Sequence, residues 1–134
     1  MVLTAGCGNQ GPELAALRTE KLATVAPTGG SLVLETETDD HTSLGKPIKA
    51  QVYRVFAFHD HDKAIAAREL FKRTALDSGW EIAPASESRF DLVYGSKNLG
   101  TGAAMLTIAT YEYGGVNRVS ILLEHRACPA AMCR

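Results

Sequence analysis

The chain has 134 residues, 46% of them apolar, enough for one ordinary domain with one core. Fourteen Lys and Arg oppose fifteen Asp and Glu, and the formal net charge of −1 leaves no basic footprint for nucleic acid or anionic headgroups. No apolar run approaches the roughly 18–20 residues of a membrane-spanning helix, which excludes that class of integral protein.

The first residues read Met1-Val2-Leu3-Thr4-Ala5-Gly6-Cys7-Gly8. A short apolar and small-residue run ends in Ala-Gly just before a cysteine, and small residues before a cleavage point suit a signal peptidase. The run Leu3–Cys7 resembles the lipobox of bacterial lipoproteins, with Thr4 in the place of the favoured aliphatic residue and Leu3 one place further out. The resemblance implies cleavage before Cys7 and diacylation of its sulfur. Two acyl chains make a stable anchor where one is marginal. Residues 1–6 then read as the remnant of a signal peptide. Its basic and remaining apolar parts are expected upstream, because such a peptide needs roughly 15–30 residues. Residues 7–11 form a short polar tether carrying the lipid, and residues 12–134 a single domain. The plain alternative is a cytosolic chain whose seventh residue happens to be cysteine.

Three cysteines are present, Cys7, Cys128 and Cys133. If Cys7 carries lipid, Cys128 and Cys133 remain as an even pair. An exported compartment permits a disulfide between them, and closing so short a loop is worth about 2 kcal/mol. Two free thiols on the C-terminal tail are the alternative.

In chain order, Pro12–Val25 reads as a helix opened by proline, with Leu14, Leu17, Lys21 and Val25 near one face and Leu22 beside them. Pro27-Thr28-Gly29-Gly30 breaks it. Ser31–Thr38 reads as a strand and Asp39–Lys46 as a polar loop. Pro47–Phe58 reads as a longer strand, with Val52 and Phe56 on one face and Tyr53 and Val55 on the other. Two apolar faces predict a central strand covered on both sides. Asp60–Ser78 is the strongest helix, capped by Asp60 or Asp62 and closed by Gly79. Its stripe is Ala64, Ala67, Leu70, Phe71, Thr74 and Ala75, with charged residues largely off it. Trp80–Ala83 begins a strand, Pro84–Ser88 turns, and Phe90, Leu92 and Tyr94 alternate in the next strand. Gly95–Gly102 reads as a loop and Ala103–Tyr113 as a strand. Gly114-Gly115 is a two-residue hairpin turn, and Val116–His125 returns with Val119, Ile121 and Leu123 facing together. The expectation is an α+β fold. It is an antiparallel sheet of about five or six strands, with one long amphipathic helix on one face and a shorter N-terminal helix. The Gly79-Trp80 pair and this element order resemble small lipoproteins of high-GC Gram-positive bacteria.

Candidate chemistry is sparse. His59-Asp60-His61-Asp62 carries metal-ligand residue types, and Asp39, His41 and His125 could complete a site. Helix capping explains the aspartates without a metal, so His59 and His61 stay minor candidates. Gly100-Thr101-Gly102 precedes a strand rather than a helix and is no dinucleotide fingerprint. No nucleophile elbow appears, and no cofactor is implied. Trp80, Phe90, Tyr94, Tyr111 and Tyr113 could line a ligand cleft, or serve as core and cross-strand pairs. The reading is a membrane-anchored extracytoplasmic module, non-enzymatic, that binds a protein, an envelope polymer or a ligand. A small-molecule or lipid carrier with a cleft between helix and sheet is the second expectation, and an enzyme of unfamiliar type the third.

Overall fold

A computed structural model of the protein describes residues 11–84, 91–100 and 102–126. The expected anchor Cys7, the expected pair Cys128 and Cys133, and Phe90 of the aromatic set lie outside these residues.

Helix α1 spans Pro12–Arg18, followed by a 3-10 turn at Lys21–Ala23. Strand β1 is Gly30–Thr38, β2 His41–Ser43, β3 Lys46–Ile48 and β4 Gln51–Phe58. Helix α2 is His61–Asp77, and then come β5 (Glu81–Ile82), β6 (Leu92–Asn98), β7 (Ala103–Tyr113) and β8 (Val116–Arg126). Six strands form one sheet in the order β1-β4-β8-β7-β6-β5, with every pair antiparallel. The fold is therefore α+β with a six-stranded antiparallel sheet and two helices. The small β2–β3 hairpin stands apart from the main sheet. Because α2 carries the chain from interior β4 to edge strand β5, the final strand β8 fits between β4 and β7.

The core lies on one face of the sheet. Val52, Phe56 and Phe58 of β4 line it with Val119, Ile121 and Leu123 of β8, Leu106 and Ile108 of β7, and Val93 of β6. Leu14, Leu17, Leu22, Ala64, Ala67, Phe71 and Ala75 descend onto it from the helical side. Alanines at three of the four buried α2 positions let the helix axis approach the sheet. Phe71 fills the gap between them, its ring 5.5 Å from that of Phe56. Each such large apolar side chain stabilises by roughly 1.5–3 kcal/mol on burial.

Both ends of α2 are set locally. Asp60 Oδ1 accepts from the Lys63 backbone N–H at 2.8 Å, so Asp60 is the N-cap and Asp62 sits in the first turn. At the other end Gly79 has φ +90°, Trp80 N–H bonds Ala75 O at 3.0 Å, and Gly79 N–H bonds Leu76 O at 3.2 Å. This is a Schellman closure, and the positive φ is why glycine follows the helix.

Four expectations need correction. The N-terminal helix, predicted to Val25, ends at Arg18 with Thr19 as its C-cap. Glu20 takes extended angles (φ −72°, ψ 140°), and its carboxylate, 8% exposed, accepts from Trp80 Nε1 at 3.0 Å and from Lys97 Nζ at 2.9 Å. The helix thus breaks near the residue whose side chain ties it to the segment closing α2 and to β6. Secondly, the predicted polar loop and long strand become the β2–β3 hairpin followed by a shorter β4, with Leu44 and Gly45 turning at positive φ. Thirdly, helices cover only one face of β4; on the other, Tyr53 and Ala57 are only half-buried. Fourthly, β6 runs on through Gly95 to Asn98, into the predicted loop. On β6 the inward positions are Val93 and Gly95, whereas Leu92 and Tyr94 face outward.

Arg54 is the other buried polar hub. Its Nη1 donates to Leu22 O at 3.2 Å and Val25 O at 2.6 Å, its Nε donates to Glu35 Oε2 at 3.0 Å, and its guanidinium lies 4.9 Å from the Phe56 ring centre. It thereby satisfies the carbonyls that the interrupted helix leaves open.

Glu20→Ala strands a buried indole N–H and an ammonium, so denaturant unfolding should show a loss of about 2–4 kcal/mol. Trp80 is the single tryptophan, so its emission should shift in the same variant. Glu20→Gln, which still accepts from the indole, should lose less. Wild-type stability in Glu20→Ala would refute the role given to this carboxylate.

Candidate functional site

Two surfaces stand out, one at the end of the sheet and one across it.

At the end where β8 finishes, Glu13 of α1, the β2–β3 hairpin and the segment entering β4 surround a cavity of about 520 Å³. Asp40, His41, Lys49, His125 and Arg126 line it together with Pro47 and Ile48. His125 reaches this place because its N–H bonds Ala50 O at 3.0 Å, joining β8 to the start of β4. A Cβ added to Gly102 would lie 2.6 Å from His125 Cε1 and 2.5 Å from Arg126 O, so only glycine lets the β6–β7 connection pass over the buried ring. His41 Nδ1 lies 2.8 Å from Asp39 O. At the cavity rim Gly11 N–H bonds Asp39 Oδ2 at 2.9 Å, and a Cβ at Gly11 would meet Asp40 and Glu13 carboxylate oxygens at 2.9 Å each. Loss of hydration, then the charge of Glu13 and the neighbouring Asp39, hold the Asp40 carboxyl above the ordinary carboxylate range.

The candidate metal residues are divided between the two ends of β4. His41 and His125 sit at the cavity, while His59 follows the far end of β4 beside Gly115 and Val116, and His61 opens α2. Eight strand residues, roughly 25 Å, separate the two pairs. Among the described residues no three His, Cys, Asp or Glu side chains group as a metal site requires.

The second surface is the sheet face opposite the helices. Alternation along each strand places on it Tyr53 and Val55 of β4, Arg118, Ser120, Leu122 and Glu124 of β8, Met105, Ala109, Tyr111 and Tyr113 of β7, and Leu92 and Tyr94 of β6. Leu34 and Thr36 of β1 extend it to the edge. The helical residues of the core cluster all pack on the other face. Tyr113 is 67% exposed, whereas Val55, at 2%, is shielded by its taller neighbours. Arg118 lies over the Tyr113 ring, 5.1 Å from its centre. Glu124 accepts from Gln51 Nε2 at 3.0 Å and stands 3.6 Å from Arg126. Burial, then the adjacent Tyr53 hydroxyl to which it is hydrogen-bonded, pushes Tyr111 ionisation above its usual range, while Arg118 acts in the opposite direction.

Of the aromatic residues predicted to line a cleft or a core, the structure separates two kinds. Trp80 is core, and Tyr94, Tyr111 and Tyr113 belong to the uncovered face. Sequence reasoning placed Val119, Ile121 and Leu123 together but did not weigh the opposite set, Arg118, Ser120, Leu122 and Glu124. Its signal was present, since that set also carries a large apolar side chain, Leu122, where a solvated face would be polar. Glu20 and Lys97 carry no local signal, because their partners are 60 and 77 positions away.

Asp40→Asn removes one charge from the carboxylate cluster while keeping the residue's shape. A carboxyl whose folded pKa is raised favours folding below its unfolded pKa and opposes it as pH rises through the folded value. Thermal unfolding of Asp40→Asn should therefore show higher stability than wild type at pH 7 and a gain that vanishes toward pH 3. A gain that grew on acidification would contradict the clustering.

Compared with protein families, curated proteins and solved structures, the chain matches none.

Proposed function

We propose that this chain is the extracytoplasmic domain of a bacterial lipoprotein, held at the outer face of the cell membrane by acyl chains on Cys7. In this reading it is a non-enzymatic interaction module, its binding surface is the uncovered sheet face, and α2 is the long amphipathic helix that closes the other side. One observation carries the binding role: the face opposite the core is broad, poor in charge and rich in tyrosine and aliphatic side chains. Antiparallel sheets with one solvated face normally make that face polar, and large exposed apolar patches mark interaction sites. Tyrosine is also among the residues enriched in interface cores.

The anchor rests on the Leu3–Cys7 motif. The Gly11 N–H is held by Asp39, so the folded domain starts four residues after Cys7. Those residues reach at most about 14 Å when extended, which keeps the domain close to the bilayer surface. A second reading, a carrier of a small polar ligand, is favoured by the end cavity with its mixed charges and buried His125. Pockets of several hundred Å³ are of ligand size. Its place is the sheet end, whereas Phe71, Leu106 and Ile108 fill the space expected for a cleft between helix and sheet.

Two measurements test the proposal. Intact mass of the protein extracted from native membranes should show a diacylglyceryl adduct, and Cys7→Ser should release the chain from the membrane fraction. An unmodified mass would overturn the anchor. A photo-crosslinking side chain at position 122, on the uncovered face, should give adducts on intact cells at several times the yield of one at position 73, on the outer side of α2. Equal yields would overturn the binding surface.

A further inference from the structure

We propose that the occupant of the uncovered face is a second copy of this chain, packed sheet to sheet about a twofold axis that crosses the strands at the level of Ile121. This rests on reading the face as an interaction surface and adds its partner. The axis lies in the plane between the two sheets and runs perpendicular to the strands. Each strand then lies over its own counterpart, running the opposite way.

Charge selects this arrangement. Arg118 and Glu124 both point from this face of β8, three residues to either side of Ile121. The twofold axis brings Arg118 over the partner's Glu124 and Glu124 over the partner's Arg118. With the axis along the strands instead, like charges would meet. Arg118 makes no ion pair among the described residues, and its guanidinium lies over the Tyr113 ring. A carboxylate across the interface supplies the missing counter-charge.

Shape agrees with charge. The row at Leu122 is tall, aligned with Tyr53 on one side and with Thr107 and then Tyr94 on the other. The row at Ser120 is low, with Ala109 beside it. The axis at Ile121 sets the tall row of each copy into the low row of the other. It also sets Tyr111, level with Arg118, over the partner's Met105, level with Glu124. Sulfur–aromatic contacts of this kind are favourable.

Size is sufficient. Five long strands at about 4.8 Å spacing, each roughly seven residues long at about 3.3 Å per residue, offer on the order of 500 Å² in projection. A standard interface buries about 800 Å² of accessible surface per partner, and a side-chain-covered face exceeds its projection. Two sheets about 10 Å apart would make a sandwich with the helices outside, and a self-complementary patch is what twofold symmetry demands.

Sedimentation equilibrium of the full chain carrying Cys7→Ser tests the proposal, with circular dichroism to show that each variant is folded. The expected result is a dimer. Arg118→Glu and Glu124→Arg should each weaken it at least about tenfold, since each symmetric dimer loses two pairs. The double variant should recover wild-type association, because the reversed charges again face each other. A monomer, including one whose own residues 127–134 cover the face, overturns the proposal. So does a dimer indifferent to these charges. A monomer that keeps the position-122 cross-links to other envelope components removes the second copy and leaves the interaction surface standing. A monomer without such cross-links removes both.

Discussion

A single buried carboxylate joins the parts of this fold that do not share a sheet. Glu20 accepts hydrogen bonds from the indole of Trp80 and the ammonium of Lys97. One acid thereby connects the segment after α1, the closure of α2 and the strand β6. Burying a charge is tolerable only when it is paired and hydrogen-bonded, so these segments must arrive together or not at all. Arg54 repeats the device on the other side of the same turn, holding Leu22 and Val25 carbonyls to β4 and reaching Glu35 on β1. The two hubs explain why seven helical residues, too few to be stable alone, hold a fixed place.

Everything helical is consequently gathered on one side. The core is complete with α1, the 3-10 turn and α2 over β4, β8, β7 and β6. That one-sidedness leaves the opposite surface of the sheet uncovered by helices among the described residues, and its composition is the feature from which the functional reading grows. A face meant for water would place Thr, Lys and Glu where Tyr53, Leu122, Met105 and Tyr94 stand. The exposed edge strand β1 adds Leu34, beside Val55, to this apolar surface, whereas its Leu32, paired with Phe56, is uncovered on the other side. Its register shift between Leu32 and Leu34 is a bulge, a feature that twists an edge away from indiscriminate pairing.

The end cavity and the open face differ in what they could recognise. The cavity combines carboxylates, a lysine, an arginine and a buried histidine in a few hundred Å³, a setting for a small polar ligand. The open face spreads across β4, β8, β7 and β6. The cavity also lies beside Gly11, whose N–H bonds Asp39.

What the sequence determined by itself is whatever depends on near neighbours. Asp60 capping α2, the alanine and phenylalanine stripe beneath it, the Gly79 closure, and the β7–β8 hairpin across Gly114-Gly115 were all legible, because caps, helical period and turn dihedrals are set within a few residues. Only the tertiary structure decided the rest. It ended α1 at Arg18, because Glu20 serves Trp80, just after α2, and Lys97 on β6. It paired β4 with β8, which brought His125 beside Ala50 and left His59 and His61 at the far end. It also chose which of the two apolar faces of β4 to cover. Alternation reports that two faces exist, but covering one is a contest between packing surfaces far apart in the chain. The helices, tied down by Glu20 and Arg54, took the side of Val52 and Phe56 and left Tyr53 and Leu122 only half-buried.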